Sequence, residues 1–217
     1  MPWLGYFAKM AWVDRFILLD TVQYKKNEWQ NRNRIKTATG WQWLTVPVAF
    51  SFPETINQVT IINSQKWQRA QQQSMVTNYR RAPYFDQVMA WLAPLFSQQW
   101  QTLAELNIFL VKALANFLGI TTPIHVASEL GPFPENPDQR LIGMVRHFGG
   151  NRYLAGAGGH GYMNLDTWSE AGIEVEFQDY RHPTYPQLFG PFEPNLSVLD
   201  LIFNCGPDSL NIVRSAS

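Results

Sequence analysis

The sequence predicts an α/β fold with a mostly parallel, Rossmann-like sheet and a helical subdomain in the middle third of the chain. Three observations predict it. Short apolar runs typical of buried strands occur in both outer thirds, apolar residues recur at helical spacing in the middle third, and a glycine-dense turn follows a strand candidate. These patterns divide the chain into the N-terminal part of an α/β domain (1–63), the helical subdomain (64–118), and the C-terminal part with the glycine-rich turn (119–217).

One helix and three strands are expected in the N-terminal part. Apolar residues recur at helical spacing over 2–11, and Pro2 stands where the first turn tolerates its missing N–H. Residues 16–19 form a short apolar run that ends at Asp20, which is typical of a buried strand with an acid at its carboxyl end. Alternation predicts a strand over 41–48 that ends at an edge or bulge, and 56–62 is a further strand candidate.

The middle third is predicted to be helical. Ser64 can cap a helix that continues to about residue 81, where Pro83 follows. A second helix is expected over 84–97, and a third over 103–118 that ends at Gly119. We interpret these three helices as an inserted or appended subdomain.

Strands alternate with helices again after Gly119. The pattern predicts strands over 123–127, 152–155 and 173–177, and helices over 138–148 and 196–203. This order is typical of a parallel sheet, because parallel strands need crossover connections. A proline-rich loop at 181–191 precedes the last helix, and we expect it to close over a ligand site.

The composition of the chain excludes several classes of protein. The 217 residues are 46% hydrophobic and 14% aromatic, which excludes intrinsic disorder, and the formal net charge of zero argues against a nucleic-acid partner. The single Cys205 excludes a disulfide framework and a cysteine metal cage. No apolar run has the length of a membrane span, so a cytoplasmic protein is expected, without a metal or cofactor. Only 16% of the residues are charged, so part of the surface is expected to be apolar, and a homodimer is possible.

The segment after Asp20 is the first candidate site. It alternates amides with guanidiniums, which suit the recognition of phosphate, carboxylate or polar sugar groups, and large aromatic rings interleave with it. A solvated charged loop and a single-stranded nucleic-acid site are the alternatives. The candidate substrate-binding residues here are Gln23, Asn31, Arg32, Asn33 and Arg34, with the rings of Trp29, Trp41 and Trp43 beside them.

The glycine-dense turn at 156–161 formally matches the dinucleotide fingerprint G-x-G-x-x-G. We reject that match, because the helix predicted after the turn has only about two turns and a Rossmann crossover helix is longer. Gly156, Gly158 and Gly159 are expected to approach either an anionic ligand or a neighbouring chain segment. His160 lies within the turn, so it joins Asp20 as a candidate acid–base residue.

The loop at 181–191 supplies two more candidates. Tyr185 and Gln187 lie two residues apart and share a side if the segment is extended. A ring and an amide suit a sugar, the ring against its apolar face and the amide against its hydroxyls. The alternative is a surface loop whose tyrosine packs on the domain.

Several motifs together resemble the WbqC-like family over nearly the whole chain. They are Pro2-Trp-Leu-Gly-Tyr-Phe7, Leu19-Asp-x-Val-Gln-Tyr24, Trp29-x-Asn-Arg-Asn-Arg-Ile-Lys36, Trp43-Leu-Thr-Val-Pro47, Tyr153-Leu-x-Gly-x-Gly-Gly159, Tyr185-Pro-Gln187 and Leu196-Ser-Val-Leu-Asp-Leu-Ile-Phe-Asn-Cys-Gly206. The resemblance implies a bacterial protein of O-antigen (lipopolysaccharide) or other surface-polysaccharide biosynthesis. Similar proteins begin about a dozen residues earlier, with a strand and a His-Gln-Pro or similar triplet, which this sequence lacks. Either the start codon is assigned too late or this copy lacks its first strand; the former is expected, because a missing central strand would leave an open sheet edge.

The resemblance and the residues together predict a transferase acting on a nucleotide-activated or amino sugar. Asp20 and His160 would provide acid–base chemistry, and the amides, guanidiniums, glycines and loop residues named above would bind the substrate. The alternative is a non-catalytic binding or scaffold protein of the polysaccharide machinery, in which the aromatic side chains form a partner interface.

Overall fold

The structure is a computed structural model in which residues 1–215 are described; the last two residues of the predicted segment 119–217 lie outside them. Nine α-helices occur in residues 1–215. They are α1 (Leu4–Trp12), α2 (Trp67–Tyr79), α3 (Phe85–Ser97), α4 (Leu103–Leu118), α5 (Ala127–Leu130), α6 (Pro137–His147), α7 (Leu165–Glu170), α8 (Val198–Cys205) and α9 (Ser209–Arg214). None of these helices combines the length and the hydropathy needed to span a membrane.

Eight short strands accompany the helices within the described chain. They are β1 (Phe16–Leu18), β2 (Arg32–Thr37), β3 (Gly40–Thr45), β4 (Val48–Ala49), β5 (Thr60–Ile61), β6 (Ile124–Val126), β7 (Arg152–Ala155) and β8 (Glu174–Phe177). Short 3-10 turns occupy Ile56–Gln58, Asn63–Gln65, Ala157–Gly161 and Gly206–Asp208.

The prediction of a mostly parallel, Rossmann-like sheet is wrong. The strands form four separate two-stranded sheets: β1 with β6 and β7 with β8 are parallel, whereas β2 with β3 and β4 with β5 are antiparallel. The two parallel pairs do not join, because a large cavity lies between β1 and β7 and no described strand bridges it. The pair of β1 with β6 joins the N-terminal part of the chain to the C-terminal part, but no described strand connects this pair to β7 and β8 in one extended sheet.

Local signals explain the predicted helices that the structure confirms. Helix α4 begins at Thr102, whose side chain accepts the amide of Glu105 in a capping box, and it ends at Gly119 in the left-handed conformation (φ 77°). Helix α6 begins after Asn136, whose side chain accepts the amide of Gln139, with Pro137 in the first turn. These contacts satisfy amides and carbonyls that a helix leaves unpaired at its ends.

Two predicted strands are interrupted. The strand expected over 41–48 becomes β3 and β4, with Pro47 between them, since proline cannot donate to a ladder hydrogen bond. Of the strand expected over 56–62, only Thr60–Ile61 is extended. The candidate binding segment after Asp20, for which no strand was expected, contains β2, which alternates buried Asn33 and Ile35 with half-buried Arg32 and Arg34.

Helix α8 is the centre of the main hydrophobic core. Every one of its residues is buried, and Phe203 stacks on Tyr79 of α2 with ring centroids 4.5 Å apart. The helices of the predicted subdomain pack into the same core as α1, α8 and the β2–β3 hairpin. A smaller cluster around Ile142, Trp168 and Ile173 fixes α6 and α7 against β8.

Candidate active site in the cavity between the parallel strand pairs

A cavity of about 1210 Å³ separates the two parallel strand pairs. Strand β1 and the residues after it line one side of the cavity, and Arg152, Tyr153 and Leu154 of β7 line another. Of the strands paired with these two, β8 contributes Glu176 and β6 contributes no residue. Much of the wall is aromatic, from Trp3, Tyr6, Phe16, Trp29, Phe148 and Tyr153. A concave, largely apolar space with a few polar groups is the usual form of a small-molecule site.

The chain after β1 brings a fixed carboxylate to this cavity. Asp20 lines it with 5% of its surface exposed. Its Oδ1 accepts the backbone N–H of Ser128 at 3.0 Å, and its Oδ2 accepts the Ser128 hydroxyl at 2.6 Å. Each carboxylate oxygen has two lone-pair directions, so these bonds orient Asp20 and leave it able to accept a ligand proton.

Three amide side chains join Asp20 on the cavity wall. Asn33 Nδ2 donates to the carbonyl of Met1 at 2.7 Å, and Asn107 Nδ2 donates to the carbonyl of Gln30 at 2.8 Å. Gln30 Oε1 accepts the backbone N–H of Lys25 at 2.8 Å. These bonds set the orientation of all three amides. Asn33 uses both ends internally, since its Oδ1 accepts the backbone N–H of Arg34 at 2.8 Å, whereas the opposite ends of Asn107 and Gln30 have no partner within residues 1–215.

The cavity also holds cationic groups. Arg152 is paired with Glu174 at 3.3 Å and with Glu176 at 2.8 Å. Lys9 of α1 has no carboxylate within 4.0 Å in the described chain, and its Nζ lies 5.7 Å from the centre of the Tyr153 ring. Burial lowers the pKa of Lys9 to about 8. An unpaired, partly desolvated ammonium group in a cavity favours an anionic ligand there.

The arginines of the predicted substrate segment stack on tryptophan rings instead of entering the cavity. The Arg32 guanidinium carbon lies 4.3 Å from the Trp43 ring, and that of Arg34 lies 4.9 Å from Trp41 and 5.6 Å from Trp29. The rings of Trp29 and Trp41 are 5.3 and 5.4 Å from that of Trp43. We call these five side chains the tryptophan platform.

Both platform arginines are half-buried, as the sequence predicts, but they do not share a cavity with the glycine turn. Arg32 donates to the carbonyl of Asn27, and Arg34 reaches the carbonyl of Asn195 at 3.4 Å and Glu193 at 3.9 Å. Neither arginine lines the large cavity, nor does the glycine turn.

The glycine turn forms a 3-10 helix next to β8. A Cβ on Gly159 would lie 2.9 Å from the Met163 sulfur and from the Phe177 ring, so Gly159 is required for close packing. Gly156 and Gly158 face open space. His160 is exposed and stacks on Phe177 with ring centroids 3.5 Å apart, so it does not meet Asp20 in the cavity. Of the two alternatives for the turn, chain packing is what the Gly159 contacts support.

The expected lid residues point into the protein. Tyr185 is buried, its hydroxyl donates to Asp200 Oδ2 at 3.0 Å, and Gln187 Nε2 donates to the same oxygen at 2.8 Å. The hydroxyl of Tyr79 donates to Asp200 Oδ1 at 2.8 Å. The loop at 181–191 is therefore attached to α8 rather than closing over the cavity, as the packing alternative predicts, and Asp200 receives three side-chain donors.

The remaining predicted residues have separate places. Asn31 Nδ2 donates to the carbonyl of Val46 at 2.9 Å, which fixes the chain beside β3, and Gln23 is exposed next to Thr55. Among the predicted site residues, the cavity contains Asp20 and Asn33. Within residues 1–215, no group of three or more His, Cys, Asp or Glu side chains is placed to hold a metal ion.

Three functional candidates are not among the residues predicted from the sequence. Gln30 lies within the predicted substrate segment. Lys9 is the one charged residue in α1, and Asn107 is a polar residue in an otherwise apolar stretch of α4. A lone polar residue within an apolar helix pattern is the signal that could have found Lys9 and Asn107, but that signal does not show what the residue faces.

Comparison with known proteins establishes the relationship of the chain. The model of the WbqC-like protein family matches residues 1–212. A Mycobacterium tuberculosis (strain ATCC 25618 / H37Rv) relative, described as uncharacterized protein Rv1507c, is 36% identical over 99% of this chain and 94% of its own length. No solved structure matches the chain. The match over residues 1–212, together with this relative, shows that the chain belongs to the WbqC-like protein family.

Proposed function

We propose that the protein binds a nucleotide-activated or amino sugar in the large cavity and transfers a group onto it, in bacterial surface-polysaccharide biosynthesis. The observation that carries the proposal is the carboxylate of Asp20, which is held by Ser128 at the end of β1 and lines an aromatic-walled cavity. A fixed base next to apolar ring-binding surface suits the deprotonation of a sugar hydroxyl or amine.

Different groups in the cavity would have different roles in such a transfer. The aromatic rings would contact the sugar or the base, and the free ends of Asn107 and Gln30 would bind sugar hydroxyls. Lys9 would pair with the phosphates of an activated sugar. Asp20 would accept the proton that the attacking sugar hydroxyl or amine loses as its bond to the transferred group forms. The bond between that group and its activated donor breaks in the same transfer, and the donor leaves with the bonding electron pair.

Family membership supports the biological setting but not the reaction. The resemblance drawn from the sequence associates the family with O-antigen and other surface polysaccharides, whereas the described relative is uncharacterized. The substrate class therefore rests on the chemistry of the cavity.

Ligand-induced stabilisation tests the binding step. We expect at least one of the UDP-, dTDP- or GDP-sugars to raise the melting temperature, by about 3–6 °C at a ligand concentration ten times Kd, since binding to the native state alone contributes RT ln(1 + [L]/Kd). If millimolar concentrations of all three classes leave the melting temperature unchanged, the proposal fails.

Substitutions separate binding from catalysis. Asp20→Asn keeps the shape of the side chain and one acceptor for Ser128, so we expect the ligand-induced shift to remain and group transfer to be lost. His160→Ala serves as the matched control, because His160 lies outside the cavity, and we expect it to leave both readouts unchanged. Ligand binding without turnover in the unsubstituted protein would favour the alternative of a non-catalytic binding or scaffold protein.

The affinity for a sugar nucleotide is expected to decrease as pH rises from 7 to 9, by up to about tenfold. The physical reason is the pKa of Lys9, which burial lowers to about 8, so that the ammonium charge opposite the phosphates is lost within this range. Calorimetric Kd values measured across the range check the expectation. The other ionisable side chains that line the cavity are Tyr6, Asp14, Arg15, Asp20, Arg152, Tyr153 and Glu176.

Lys9→Met is expected to remove this pH dependence, whereas Lys112→Met, at an exposed position on α4, should retain it. A pH profile that is the same in both variants would show that Lys9 does not contact the ligand.

A further inference from the structure

The tryptophan platform places an unusual amount of aromatic surface in contact with solvent. Trp29, Trp41 and Trp43 are 55%, 42% and 36% exposed. Contiguous exposed rings of this kind are uncommon on a protein surface and mark interaction sites. The platform is not used by the reaction proposed for the cavity, except that Trp29 also lines the cavity wall.

The register of the β2–β3 hairpin explains why Arg32, Arg34, Trp41 and Trp43 share a face. Arg34 lies opposite Trp43, and Thr45 lies opposite Arg32. Side chains that are opposite each other, or two residues apart, point to the same side of a ladder. The other side carries buried Asn33, Ile35 and Leu44 and packs on the core. The solvent face of such a hairpin is normally polar, but here it is aromatic and cationic.

The positive charge of the platform has few acidic partners in the protein. In the described chain, Arg32 has no carboxylate within 4.0 Å, and the one acid near Arg34 is Glu193 at 3.9 Å. A guanidinium that stacks on a ring keeps N–H groups at its edge, and these suit carboxylate or phosphate oxygens. Exposed Lys25 and Lys26 precede the platform and add positive charge.

We propose that the tryptophan platform is a second binding site, which takes an anionic glycan. The tryptophan rings would contact the apolar faces of sugar rings, and Arg32 and Arg34 would bind carboxylate or phosphate groups on the chain. The inference goes beyond the function proposed for the cavity and does not require it. Because Trp29 belongs to both surfaces, a glycan on the platform would lie next to the part of the cavity wall that Trp29 forms.

Single-stranded nucleic acid is the rival ligand for aromatic and basic side chains. The zero formal net charge of the chain opposes it, since nucleic-acid binding draws on a broad positive potential. A glycan needs only the local charge of two arginines.

Isothermal titration at low ionic strength tests the proposal with an oligogalacturonate as the anionic probe and a maltooligosaccharide of equal length as the neutral one. We expect the oligogalacturonate to bind at least about fivefold more tightly than the neutral probe, and Trp41→Ala and Arg32→Gln each to weaken its binding by roughly fivefold or more. Phe52→Ala, at an exposed ring outside the platform, should have no effect.

Three outcomes would overturn the platform site: no binding of oligogalacturonate, tighter binding of an oligothymidylate, or unchanged affinity in both platform variants. A lower melting temperature with unchanged affinity would show that the stacking serves only stability. The melting-temperature shift with sugar nucleotides is measured on the same variants. That shift should persist in Trp41→Ala, so failure of the platform and failure of the cavity function are distinguished.

Discussion

Asp200→Ala is expected to lower the free energy of unfolding by about 3–5 kcal/mol, which is a large share of the stability of a typical domain. The carboxylate is buried and accepts hydrogen bonds from Tyr79, Tyr185 and Gln187. Alanine removes the acceptor from all three donors, and each buried donor that is left unpaired is destabilising by about 1–3 kcal/mol. Urea unfolding followed by circular dichroism measures the change.

Two further variants define the source of this loss. Tyr185→Phe removes a single donor and keeps the ring, so we expect a decrease of about 1–2 kcal/mol. Asp208→Ala removes an exposed carboxylate close by in the chain and should change stability by less than about 0.5 kcal/mol. If Asp200→Ala resembles Asp208→Ala, the hydrogen-bonded cluster does not support the fold.

Gly206→Ala is expected to destabilise the protein by roughly 2–6 kcal/mol, the sum of backbone strain and overpacking. Gly206 has φ 49° and ψ −121°, a conformation that L residues with a side chain rarely adopt. A Cβ at this position would also lie 2.4–2.5 Å from three atoms of the Tyr84 ring. The melting temperature and the urea midpoint are the measurements.

The matched control is Gly172→Ala. Gly172 also has a positive φ, of 70°, but a Cβ there would meet no atom within 4 Å. We therefore expect only the backbone contribution, about 1–2 kcal/mol. Equal losses at the two glycines would mean that the Tyr84 ring moves aside without destabilising the fold.

The candidate site was predicted in part. The apolar run before Asp20 correctly indicated strand β1, and Asp20 follows two residues after the end of this strand and lines the cavity. The alternation of Asn33 with Arg32 and Arg34 was noticed, but its role as a strand was missed since charged side chains occupied the outer face. In the structure, Arg32 and Arg34 contact the rings of Trp43 and Trp41 on that outer face. The sequence pattern does not show these contacts, because it shows only charged residues at these strand positions.

Other candidates needed contacts that are distant in the chain. Tyr185 and Gln187 have the chemistry of a sugar site, yet both bind Asp200, which lies on a later helix. His160 stands in a turn that the sequence marks as special, but the turn packs on Phe177 and does not face Asp20. Residue type alone does not determine whether a polar side chain faces a ligand or the protein interior.

The sequence by itself determined the family, the longer helices and the end of α4 at Gly119, whereas Ser64, the expected cap of α2, lies in a 3-10 turn and does not cap the helix. Helix signals are local, since a cap and its partner lie within about four residues. Only the tertiary structure decided which strands pair, that a cavity separates β1 from β7, and that the arginines stack on tryptophans. Strand pairing and side-chain direction depend on contacts between residues far apart in sequence, whose free energy is set by the packing of the whole chain.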